Sequence, residues 1–372
     1  MKIALAIVSL FPSGGLQRDC MGIARRLAAR GHDVTILASR RQGELPSDLN
    51  IDVLPVRAWS NHGRDLRFAA AVAQRKQAFD RLAGFGKLAD LDVLYCADGC
   101  DKARPARWSD RFTARRRIKL NLEAASFAPG RPTQCLLLSQ NQLDSFRRAW
   151  GTEPERLALM PPTIDPARRH PELRADGTRE RIRGEFGVAG DTVVWLAVAA
   201  HPLTKGLDRA VAALAAFPDA RLVVAGVAEG SKQGRLMRRL AGEAKVSDRI
   251  TLLGMRRDIP ELMAGADVLI HPARVDTTGT AILEAVVNGL PVITTSVCGY
   301  ARHVAAADAG VVLPEPFGPG NLIEALRQAS ASGRRSSWSG NGARYGASHD
   351  LYSGLDCAAA IIAGEAASVL AS

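Results

Sequence analysis

The sequence lacks several features that define whole classes of protein. No apolar run approaches the roughly 20 residues that a membrane-spanning helix needs. Only 5% of the residues are aromatic, and neither a short-period repeat nor a low-complexity tract is present. The six cysteines, at positions 20, 96, 100, 135, 298 and 357, are too scattered for a disulfide framework or a zinc pattern. We therefore expect reduced cytosolic thiols, with Cys96 and Cys100 in structural roles.

What remains is the composition of a globular protein with a basic excess. The chain has 372 residues, of which 47% are hydrophobic, with 49 Lys and Arg residues against 38 Asp and Glu residues. This length exceeds one ordinary core and predicts two domains. The net charge of +11 favours an anionic partner, such as a nucleic acid, a phosphorylated substrate or an anionic membrane.

Buried apolar runs alternate with helical patterns in two consecutive series. In the first series, strands are expected at residues 3–8, 34–38, 51–56, 92–96, 136–139 and 157–161, and helices at 16–30, 66–82 and 142–150. After a Pro-rich segment, the second series has strands at 192–199, 221–225, 250–253 and 268–271, and helices at 206–217, 233–244, 259–264 and 279–289. Such alternation predicts parallel sheets.

The predicted fold class is therefore α/β, with two Rossmann-like domains that face a central cleft. The predicted domains are residues 1–162 and residues 163–350. A helix at about residues 351–372 is expected to pack back onto the first domain.

A Gly-Gly turn follows the first predicted strand. Gly14 and Gly15 lead into the helix that carries Asp19. A glycine loop at a helix start lets backbone N–H groups approach a phosphate. The pattern is not GxGxxG, so the residues alone are a weak signal for phosphate contact, and an ordinary tight turn is the alternative.

Two carboxylates eight residues apart mark the most suggestive stretch, residues 271–291. Asp276 lies in a loop after a buried strand, and Glu284 lies on the helix that follows. The residues between them include Thr278, Gly279 and Thr280. A helix start attracts anions, and a carboxylate accepts two hydroxyl hydrogen bonds, which suits a sugar. A solvated loop acid and an ordinary helix-face glutamate remain the alternative.

Two further polar loops are predicted in the first half of the chain. Residues 60–64 include His62 and Arg64, and residues 97–100 place Asp98 directly after a strand. Parallel sheets bind ligands at the carboxyl ends of their strands. Asp98 is therefore a candidate for ligand contact, whereas a lone loop histidine such as His62 is commonly only solvated.

The largest charge feature is a basic segment at residues 102–119, which is interleaved with aromatic residues such as Trp108. It contributes +7 of the net charge, because eight basic residues oppose only Asp110. The eight are Lys102, Arg104, Arg107, Arg111, Arg115, Arg116, Arg117 and Lys119. Cations among aromatics are typical of a membrane-surface element. Nucleic-acid binding and a solvated helix face are the alternatives.

These loops, in this order, resemble a known enzyme family over essentially the whole chain. The matching residues are Gly14-Gly15-Leu16-Gln17-Arg18-Asp19, Asn61-His62-Gly63-Arg64, Ala97-Asp98, Lys205-Gly206, Asp208-Arg209, His271-Pro272-Ala273, Leu283-Glu284-Ala285 and Val297-Cys298-Gly299-Tyr300-Ala301. The sequence thus resembles the retaining glycosyltransferases of the GT-B fold, glycosyltransferase family 4, and within it the lipopolysaccharide core glucosyltransferases. It departs from the family pattern at Asp276, which replaces a glutamate, and at Thr204, which replaces a basic residue.

The resemblance implies retaining transfer of a hexose from a nucleotide sugar, UDP-glucose, with no cofactor and no required metal. Lys205 would stabilise the departing diphosphate, and Asp19 and Asp98 would orient the acceptor or stabilise the transition state. The implied donor-binding residues are Gly14, Gly15, Lys205, Asp276, Thr278, Gly279, Thr280 and Glu284. Among these, Asp276 would hold the sugar hydroxyls and Glu284 the ribose. His62 and Arg64 are acceptor candidates.

The implied acceptor is the inner-core heptose of lipopolysaccharide. The enzyme is then expected to be cytoplasmic and peripheral on the inner face of the cytoplasmic membrane, with its basic segment on the anionic surface. A nucleic-acid partner is not expected, because it would leave the cleft motifs unexplained. Another UDP-sugar such as UDP-N-acetylgalactosamine, another lipid acceptor, or a weakened nucleotide-sugar-binding paralogue remains open.

Overall fold

The computed structural model describes residues 1–12, 14–105 and 113–365, and it divides into two compact units. Unit 1 comprises Met1–Thr163 and the chain from Tyr352 onward, and unit 2 comprises Ile164–Leu351. Within the described ranges, no helix combines the length and apolar character that crossing a membrane requires.

Unit 1 is a parallel sheet of seven strands covered by helices on both faces. Its elements are β1 (Lys2–Leu10), α1 (Gly15–Ala29), β2 (Asp33–Arg41), β3 (Ile51–Val53), α2 (Asn61–Arg75), β4 (Arg81–Gly84), β5 (Val93–Cys96), α3 (Ala114–Phe127), β6 (Gln134–Leu137), α4 (Gln140–Trp150) and β7 (Leu157–Leu159). The strand order is β3-β2-β1-β4-β5-β6-β7. The order reverses between β1 and β4, and open parallel sheets bind ligands at the strand ends beside such a reversal.

Strand β1 forms the centre of unit 1 because its side chains are apolar on both faces. Ile3 and Leu5 pack in the same buried cluster as Ile23 of α1. On the opposite face, Ala4 packs in the cluster that contains Phe68 of α2. A strand covered on both sides explains the continuous apolar run in the sequence.

Unit 2 repeats this construction with six parallel strands. Its elements are α5 (Thr178–Phe186), β8 (Val193–Val198), α6 (Leu207–Leu214), β9 (Ala220–Ala225), α7 (Lys232–Glu243), β10 (Ile250–Gly254), α8 (Ile259–Gly265), β11 (Val268–His271), α9 (Thr280–Val287), β12 (Val292–Thr295), α10 (Ala301–Ala306), β13 (Gly310–Leu313), α11 (Pro319–Ser330) and α12 (Ser332–Ser348). The strand order is β10-β9-β8-β11-β12-β13. Here the order reverses between β8 and β11, so this pair marks the expected ligand edge.

After unit 2 the chain returns to unit 1 as α13 (Gly354–Ala363). Ala359 and Ile362 of this helix lie in the buried cluster that contains α1. Arg26 Nε donates to Asp356 Oδ1 at 2.9 Å, which fixes α13 along α1. Residues 366–372 lie outside the described ranges.

The structure corrects the prediction for residues 60–82. The Ser60 hydroxyl accepts a hydrogen bond from Gly63 N at 3.2 Å. This cap starts α2 at Asn61, so the predicted polar loop at 60–64 is the first turn of a helix. The same helix ends at Arg75, and Arg81–Gly84 form a strand. A strand of only four residues, Arg-Leu-Ala-Gly, is too short for its periodicity to separate strand from helix.

Candidate active site

Lys205 and Asp276 meet at the strand reversal of unit 2. β8 ends at Val198 and β11 ends at His271, and the loops after these strands carry the two residues. Lys205 Nζ lies 2.6 Å from Asp276 Oδ2. The carboxyl ends of neighbouring parallel strands share one edge of the sheet, which brings together two charges that are distant in sequence.

His271 is a second side chain that contacts the Asp276 carboxylate. His271 Nε2 lies 2.8 Å from Asp276 Oδ2, and the imidazole is only 2% exposed. Burial raises the pKa of Asp276, but the hydrogen bond and charge of His271, together with Lys205, lower the pKa to about 2. The carboxylate is therefore ionised at neutral pH. Within the described residues its Oδ1 has no hydrogen-bond partner, so it can accept hydroxyl hydrogen bonds.

A glycine permits the Lys205 loop to reach this position. Gly206 has a φ of +71°, and a Cβ added to it would lie 1.9 Å from the Pro272 carbonyl oxygen. Only glycine tolerates both the left-handed backbone and this close approach. The position of Lys205 beside Asp276 therefore depends on the absence of a side chain at the next residue.

An ion pair fastens the same two loops together. Arg274 donates to both carboxylate oxygens of Asp208, each at 2.7 Å. Its backbone N also donates to the Thr204 carbonyl oxygen at 2.9 Å. A bidentate pair fixes orientation as well as distance, so the Asp208-Arg209 motif of the sequence analysis has a positioning role here.

Cys298 completes a group of three around His271. Burial raises the pKa of the Cys298 thiol, but its hydrogen bond with His271 and the charge of His271 hold the pKa below its ordinary value. Potential ligand atoms of His271, Asp276 and Cys298 lie within 4.8 Å of one another, and zinc accepts all three types of ligand. The Lys205 ammonium group already pairs with this carboxylate and would oppose a cation. The expectation that no metal is required stays a prediction.

The start of α9 adjoins the same carboxylate. Gly279 caps the helix with a φ of +82°, and Thr280 is its first residue. A Cβ added to Gly279 would lie 3.5 Å from Asp276 Oδ2. The Thr278 carbonyl oxygen accepts a hydrogen bond from Tyr300 N at 2.7 Å, which anchors the loop to the segment before α10. The predicted donor-binding residues on this stretch are thus clustered.

Glu284 is buried in unit 2 rather than exposed on a helix face. Arg168 Nη1 donates to its Oε1 at 2.8 Å. Asn288, one turn further on, donates to the Arg168 carbonyl oxygen at 2.9 Å and accepts from His170 N at 2.6 Å. These bonds leave Oε2 without a partner in the described residues. Arg168 was not predicted as a site residue, since a single arginine in a Pro-rich segment gives no signal.

In unit 1, the two glycines of the first turn have different surroundings. Gly14 caps α1, and a Cβ added to it would lie 1.8 Å from Gln17 Oε1. Gly15 is the first residue of the helix, and an added Cβ would meet nothing within 4 Å. The open space in front of Gly15, at a helix N-terminus, is compatible with the predicted phosphate contact.

Asp19 supports an aromatic stack in unit 1. The Tyr95 hydroxyl donates to Asp19 Oδ2 at 2.9 Å. The Tyr95 ring stacks on Phe85 with centroids 5.0 Å apart. Burial raises the pKa of Asp19 to about 6, although the hydrogen bond from Tyr95 and the charge of Arg18 act in the opposite direction.

A cavity of about 260 Å³ opens at the strand reversal of unit 1. Its polar and aromatic lining residues are Ser9, Gln17, Asp65, Phe85, Lys87, Asp98, Asp101 and Lys119. Asp98 was a sequence candidate, whereas Asp65 was missed because it lay between the predicted loop at residues 60–64 and the predicted helix at 66–82 and belonged to neither. Burial raises the pKa of Asp65, and the nearby Asp98 carboxylate acts in the same direction, while Lys119 and Arg64 oppose them.

A buried ion network fixes the loop that carries Asp98. Lys87 Nζ lies 2.8 Å from Asp101 Oδ2 and 2.5 Å from Glu123 Oε2, and it donates to the Gly99 carbonyl oxygen at 2.8 Å. Glu123 is fully buried and also accepts hydrogen bonds from Trp150 Nε1, at 2.7 Å, and from the backbone N atoms of the loop. Burial lowers the pKa of Lys87, but the surrounding negative groups hold it above its ordinary value.

His62 and Arg64 make local contacts at the start of α2. His62 Nε2 lies 3.2 Å from Ser60 Oγ, and Arg64 Nη1 donates to Asn61 Oδ1 at 3.1 Å. Neither side chain lines the cavity. Their predicted acceptor role therefore gains no geometric support, and Asp65 of the same turn is the residue that reaches the cavity.

The basic segment is divided between different environments. Arg115, Arg116 and Arg117 lie in the first turn of α3, which Thr113 caps. Lys119 Nζ lies 3.6 Å from Asp101 Oδ1, and Lys102 Nζ lies 4.0 Å from the centroid of the Trp150 ring. Arg104 is exposed in the loop before them. Arg107, Trp108 and Arg111 lie outside the described residues.

Each unit thus presents polar groups at its own strand reversal. Unit 2 offers a cation at Lys205, an ionised carboxylate at Asp276 and a helix start, which together suit a diphosphate attached to a polyhydroxyl group. Unit 1 offers a glycine turn and a cavity with carboxylates.

Comparison with known proteins gives consistent results over the whole chain. The family described as glycosyl transferases group 1 matches residues 178–344, which lie in unit 2. The chain is 37% identical over 371 residues to the lipopolysaccharide glucosyltransferase WaaG of Escherichia coli strain K12. That alignment covers 98% of this chain and 99% of the relative.

Solved protein structures also resemble this chain. The crystal structure of WaaG, a glycosyltransferase involved in lipopolysaccharide biosynthesis, matches with a TM-score of 0.90 at 36% identity, covering 97% of this chain and 100% of that chain. Anabaena HepE, solved in complex with UDP and glucose, matches with a TM-score of 0.73 at 18% identity over 100% of this chain and 99% of that one. The second likeness concerns the fold alone. The prediction of a GT-B fold with two Rossmann-like domains is confirmed.

Proposed function

The chain belongs to the group 1 glycosyltransferases, and we propose that it transfers glucose from UDP-glucose, with retention of anomeric configuration, to the inner-core heptose of lipopolysaccharide. The observation that carries the proposal is the contact between Lys205 and Asp276 at the strand reversal of unit 2. The same chain is 37% identical, over nearly its whole length, to a lipopolysaccharide glucosyltransferase.

Lys205 supplies the positive charge that departure of a diphosphate requires. Its ammonium group is held 2.6 Å from Asp276 Oδ2, and phosphate oxygens of the donor would share it. A fixed cation stabilises charge that develops on the leaving group without reorganisation at the moment of reaction. Within unit 1, the amide at Gly15 is a separate candidate for a phosphate contact.

Asp276 and Glu284 hold the two sugar rings of the donor in this proposal. The ionised Asp276 offers Oδ1 to hydroxyls of the transferred hexose. Glu284 keeps Oε2 available for ribose hydroxyls while Arg168 fixes its other oxygen. Because both carboxylates bind hydroxyls, neither is assigned as a covalent nucleophile.

Retention follows if the acceptor attacks from the face that the diphosphate leaves. The bond from the anomeric carbon to the phosphate oxygen breaks, and the acceptor oxygen forms the new bond to that carbon. The acceptor proton passes to an oxygen of the leaving phosphate. The protein then contributes positioning and electrostatic stabilisation and supplies no base of its own.

Release of UDP in the presence of truncated lipopolysaccharide tests this function directly. Lys205→Ala should lower kcat about 100-fold or more, as loss of a transition-state charge partner does in other enzymes. Glu284→Ala should raise the KM for the donor and also abolish most transfer. Lys232→Ala, which removes an exposed lysine of α7, serves as the matched control. Near-normal turnover by Lys205→Ala would refute the assignment.

Donor identity needs its own assay, since Asp276 is one methylene shorter than the usual glutamate. A panel of nucleotide sugars that includes UDP-glucose and UDP-N-acetylgalactosamine should give the highest kcat/KM with UDP-glucose. Faster transfer from the acetamido sugar would replace glucose in the proposal. Thermal stabilisation by UDP without turnover of any donor would favour a binding protein instead.

Attachment to the cytoplasmic membrane face is part of the proposal. Arg115, Arg116 and Arg117 lie in the first turn of α3, where the helix dipole disfavours cations. Such a placement favours an external anionic partner. Trp59, just before α2, is fully exposed, and tryptophan favours bilayer interfaces.

Sedimentation with vesicles tests this attachment. Each basic residue near an anionic surface contributes about 1 kcal/mol, so replacing Arg115, Arg116 and Arg117 with glutamine should weaken binding to phosphatidylglycerol vesicles by roughly 100-fold. Replacing Lys232, Arg235 and Arg239 of α7 with glutamine is a control of equal charge. Equal loss in both variants would show that only net charge matters, and unchanged sedimentation of the α3 variant would refute the attachment.

A further inference from the structure

His271, Asp276 and Cys298 form a small cluster that the proposed reaction uses only in part. Potential ligand atoms of these three side chains lie within 4.8 Å of one another. The cluster offers an imidazole nitrogen, a carboxylate oxygen and a sulfur atom. This mixed set suits Zn²⁺ and similar thiophilic cations, whereas Mg²⁺ prefers oxygen ligands alone. Asp276 binds sugar hydroxyls in the proposed function, but that function gives Cys298 no role.

The backbone brings these three side chains together. His271 is the last residue of β11, and Cys298 lies just beyond β12, the strand that pairs with β11. Asp276 and Cys298 are joined by a parallel backbone bridge, and Gly299 N donates to the Asp276 carbonyl oxygen at 3.2 Å. Ligands fixed at a sheet edge keep their spacing, so little additional ordering is needed when an ion binds.

Hydrogen bonds join the three side chains where an ion would bind. His271 Nε2 lies 2.8 Å from Asp276 Oδ2, and His271 also shares a hydrogen bond with Cys298. When Zn²⁺ replaces these bridging protons, the thiol releases its proton to solvent and the imidazole presents an unprotonated nitrogen to the ion. The imidazole and the thiol are buried, whereas the Asp276 side chain is 10% exposed. The ion can therefore enter from the side of the carboxylate.

Lys205 competes with such an ion. Its ammonium group lies 2.6 Å from Asp276 Oδ2, so a cation on this carboxylate is repelled by the lysine. An ion that does bind withdraws the carboxylate from Lys205 and from the hydroxyls of the donor sugar. The contact that the proposed reaction uses thus makes the ion an inhibitor and not a cofactor.

We propose that His271, Asp276 and Cys298 form an inhibitory site for Zn²⁺, in which the ion takes the Asp276 carboxylate from Lys205 and from the donor sugar. Binding of the ion is independent of the reaction, whereas the inhibition rests on the proposed glycosyltransferase function. Mg²⁺ should not inhibit through this site, because one of the three ligands is sulfur.

Titration with CoCl2 tests the site, because a bond between Co²⁺ and a thiolate gives a charge-transfer band in the near ultraviolet. The reduced, metal-free protein should show this band with one ion per chain, and ZnCl2 should abolish it. Cys298→Ser should remove the band and lower the affinity for Co²⁺ by at least about tenfold, as even the loss of a residue that only supports a ligand does. Cys357→Ser, at a half-buried cysteine of α13, is the matched control and should keep the band. An equal band in Cys298→Ser would overturn the proposal.

Lys205→Ala tests the site while all three ligands stay in place. Removing the ammonium group should raise the affinity for Co²⁺ about tenfold or more, since like charges in close contact repel each other strongly. A group of ligands elsewhere in the chain would not respond to this change. An unchanged affinity would therefore overturn the proposal, and this result does not depend on the folding of Cys298→Ser.

Transfer assays separate the inhibitory site from the function on which its effect rests. With UDP-glucose and truncated lipopolysaccharide, ZnCl2 should raise the apparent donor KM and leave kcat unchanged. Cys298→Ser should weaken this inhibition by the same factor as it weakens Co²⁺ binding. If the wild-type protein transfers hexose and ZnCl2 does not inhibit it, or MgCl2 inhibits it equally, the proposal fails while the function stands. If the protein binds Co²⁺ as expected but transfers nothing, the function and the inhibitory role fail together, while the ion site stands.

Discussion

At the scale of single residues, Asp276 contacts two protein side chains through one carboxylate oxygen and keeps the other oxygen for the sugar. His271 and Lys205 both hold its Oδ2, so the carboxylate is fixed and ionised before a sugar arrives. The pKa of about 2 means that Asp276 does not titrate in the working range of an enzyme near neutral pH. Any pH dependence of donor binding near pH 5–8 must therefore come from another group.

The substitution Asp276→Asn should separate the effect of the charge of this side chain from the effect of its shape. The amide retains the size of the side chain but loses the charge, so Lys205 loses its ion-pair partner. The hydrogen bond with the carboxylate, which raises the pKa of His271, is lost as well. We expect kcat/KM for UDP-glucose to fall about 100-fold, measured by UDP release. Asp276→Glu should retain measurable transfer, and a wild-type value for Asp276→Asn would contradict the role.

Asp19 should lower the free energy of unfolding at neutral pH. Its folded pKa of about 6 lies above the unfolded value of about 3.8, so the folded state binds the proton more tightly. Stability from the protonated acid is present below pH 4 and is lost as pH rises to 6, by up to about 3 kcal/mol. Asp19→Asn should therefore raise Tm by several degrees at pH 7.5 and not at pH 4. Asp33→Asn, on the exposed start of β2, is the control.

Sequence reasoning identified residues at strand ends better than residues inside helices. Lys205, Asp276 and Asp98 follow buried strands, and the rule for parallel sheets applies to them directly. Asp65 and Arg168 could not be identified, because their relevance depends on contacts with residues far away in sequence. His271 closes a predicted strand, yet its contacts with Asp276 and Cys298 depend on the fold of the loops beyond it.

At the scale of elements, the strongly periodic helices and continuous apolar strands were predictable. The boundaries of α2 and the existence of β4 were not. Ser60 starts α2 by a side-chain hydrogen bond, a local signal that the apolar pattern of residues 66–82 obscured. Strand β4 has only four residues, and it is a strand because β1 and β5 supply its hydrogen bonds on both sides.

Gly206→Ala should damage the loop between β8 and α6. The added methyl group would meet the Pro272 carbonyl oxygen, and the left-handed φ adds strain. We expect unfolding free energy to fall by about 2 kcal/mol in urea titrations, together with a lower kcat because Lys205 moves. Gly184→Ala in α5, where an added Cβ meets nothing within 4 Å, should leave both quantities near wild type. Equal effects at the two positions would refute this reading.

Helices α10 and α12 contact each other at His303, whose pKa is lower than the ordinary histidine value. His303 Nδ1 lies 2.9 Å from the Tyr345 hydroxyl, and its Nε2 is buried without a partner among the described residues. Burial lowers the pKa of His303 to about 4, with Arg302 and His349 acting in the same direction.

The unfolded chain takes up a proton at His303 near pH 6.5, and the folded chain only near pH 4. Stability is therefore lost as pH falls between these values, by up to about 3 kcal/mol. His303→Gln should flatten the fall in Tm between pH 7 and pH 5, whereas His201→Gln, at an exposed position, should not. An unchanged slope in His303→Gln would contradict the argument.

At the scale of the whole molecule, Asp19 and His303 should act on separate units. Asp19 lies in unit 1 and His303 in unit 2. Lowering the pH from 7 to 5 increases the stability that protonated Asp19 contributes and decreases the stability that neutral His303 contributes. Each unit has its own buried clusters, so calorimetry should resolve two transitions. Asp19→Asn should change the pH dependence of one transition and His303→Gln that of the other, and UDP should raise the transition that His303→Gln affects. A single transition that both variants affect would contradict this.

The chain enters and leaves unit 2 at one point. Ile164 N donates to the Leu351 carbonyl oxygen at 3.1 Å, so the first and last residues of unit 2 are neighbours. A segment whose ends meet can be excised or replaced without stretching the host. Residues 164–351 therefore form an exchangeable cassette. Grafting the corresponding cassette of a relative between Thr163 and Tyr352 offers a route to new donor–acceptor combinations in which the sugar given and the sugar receiving it are chosen separately.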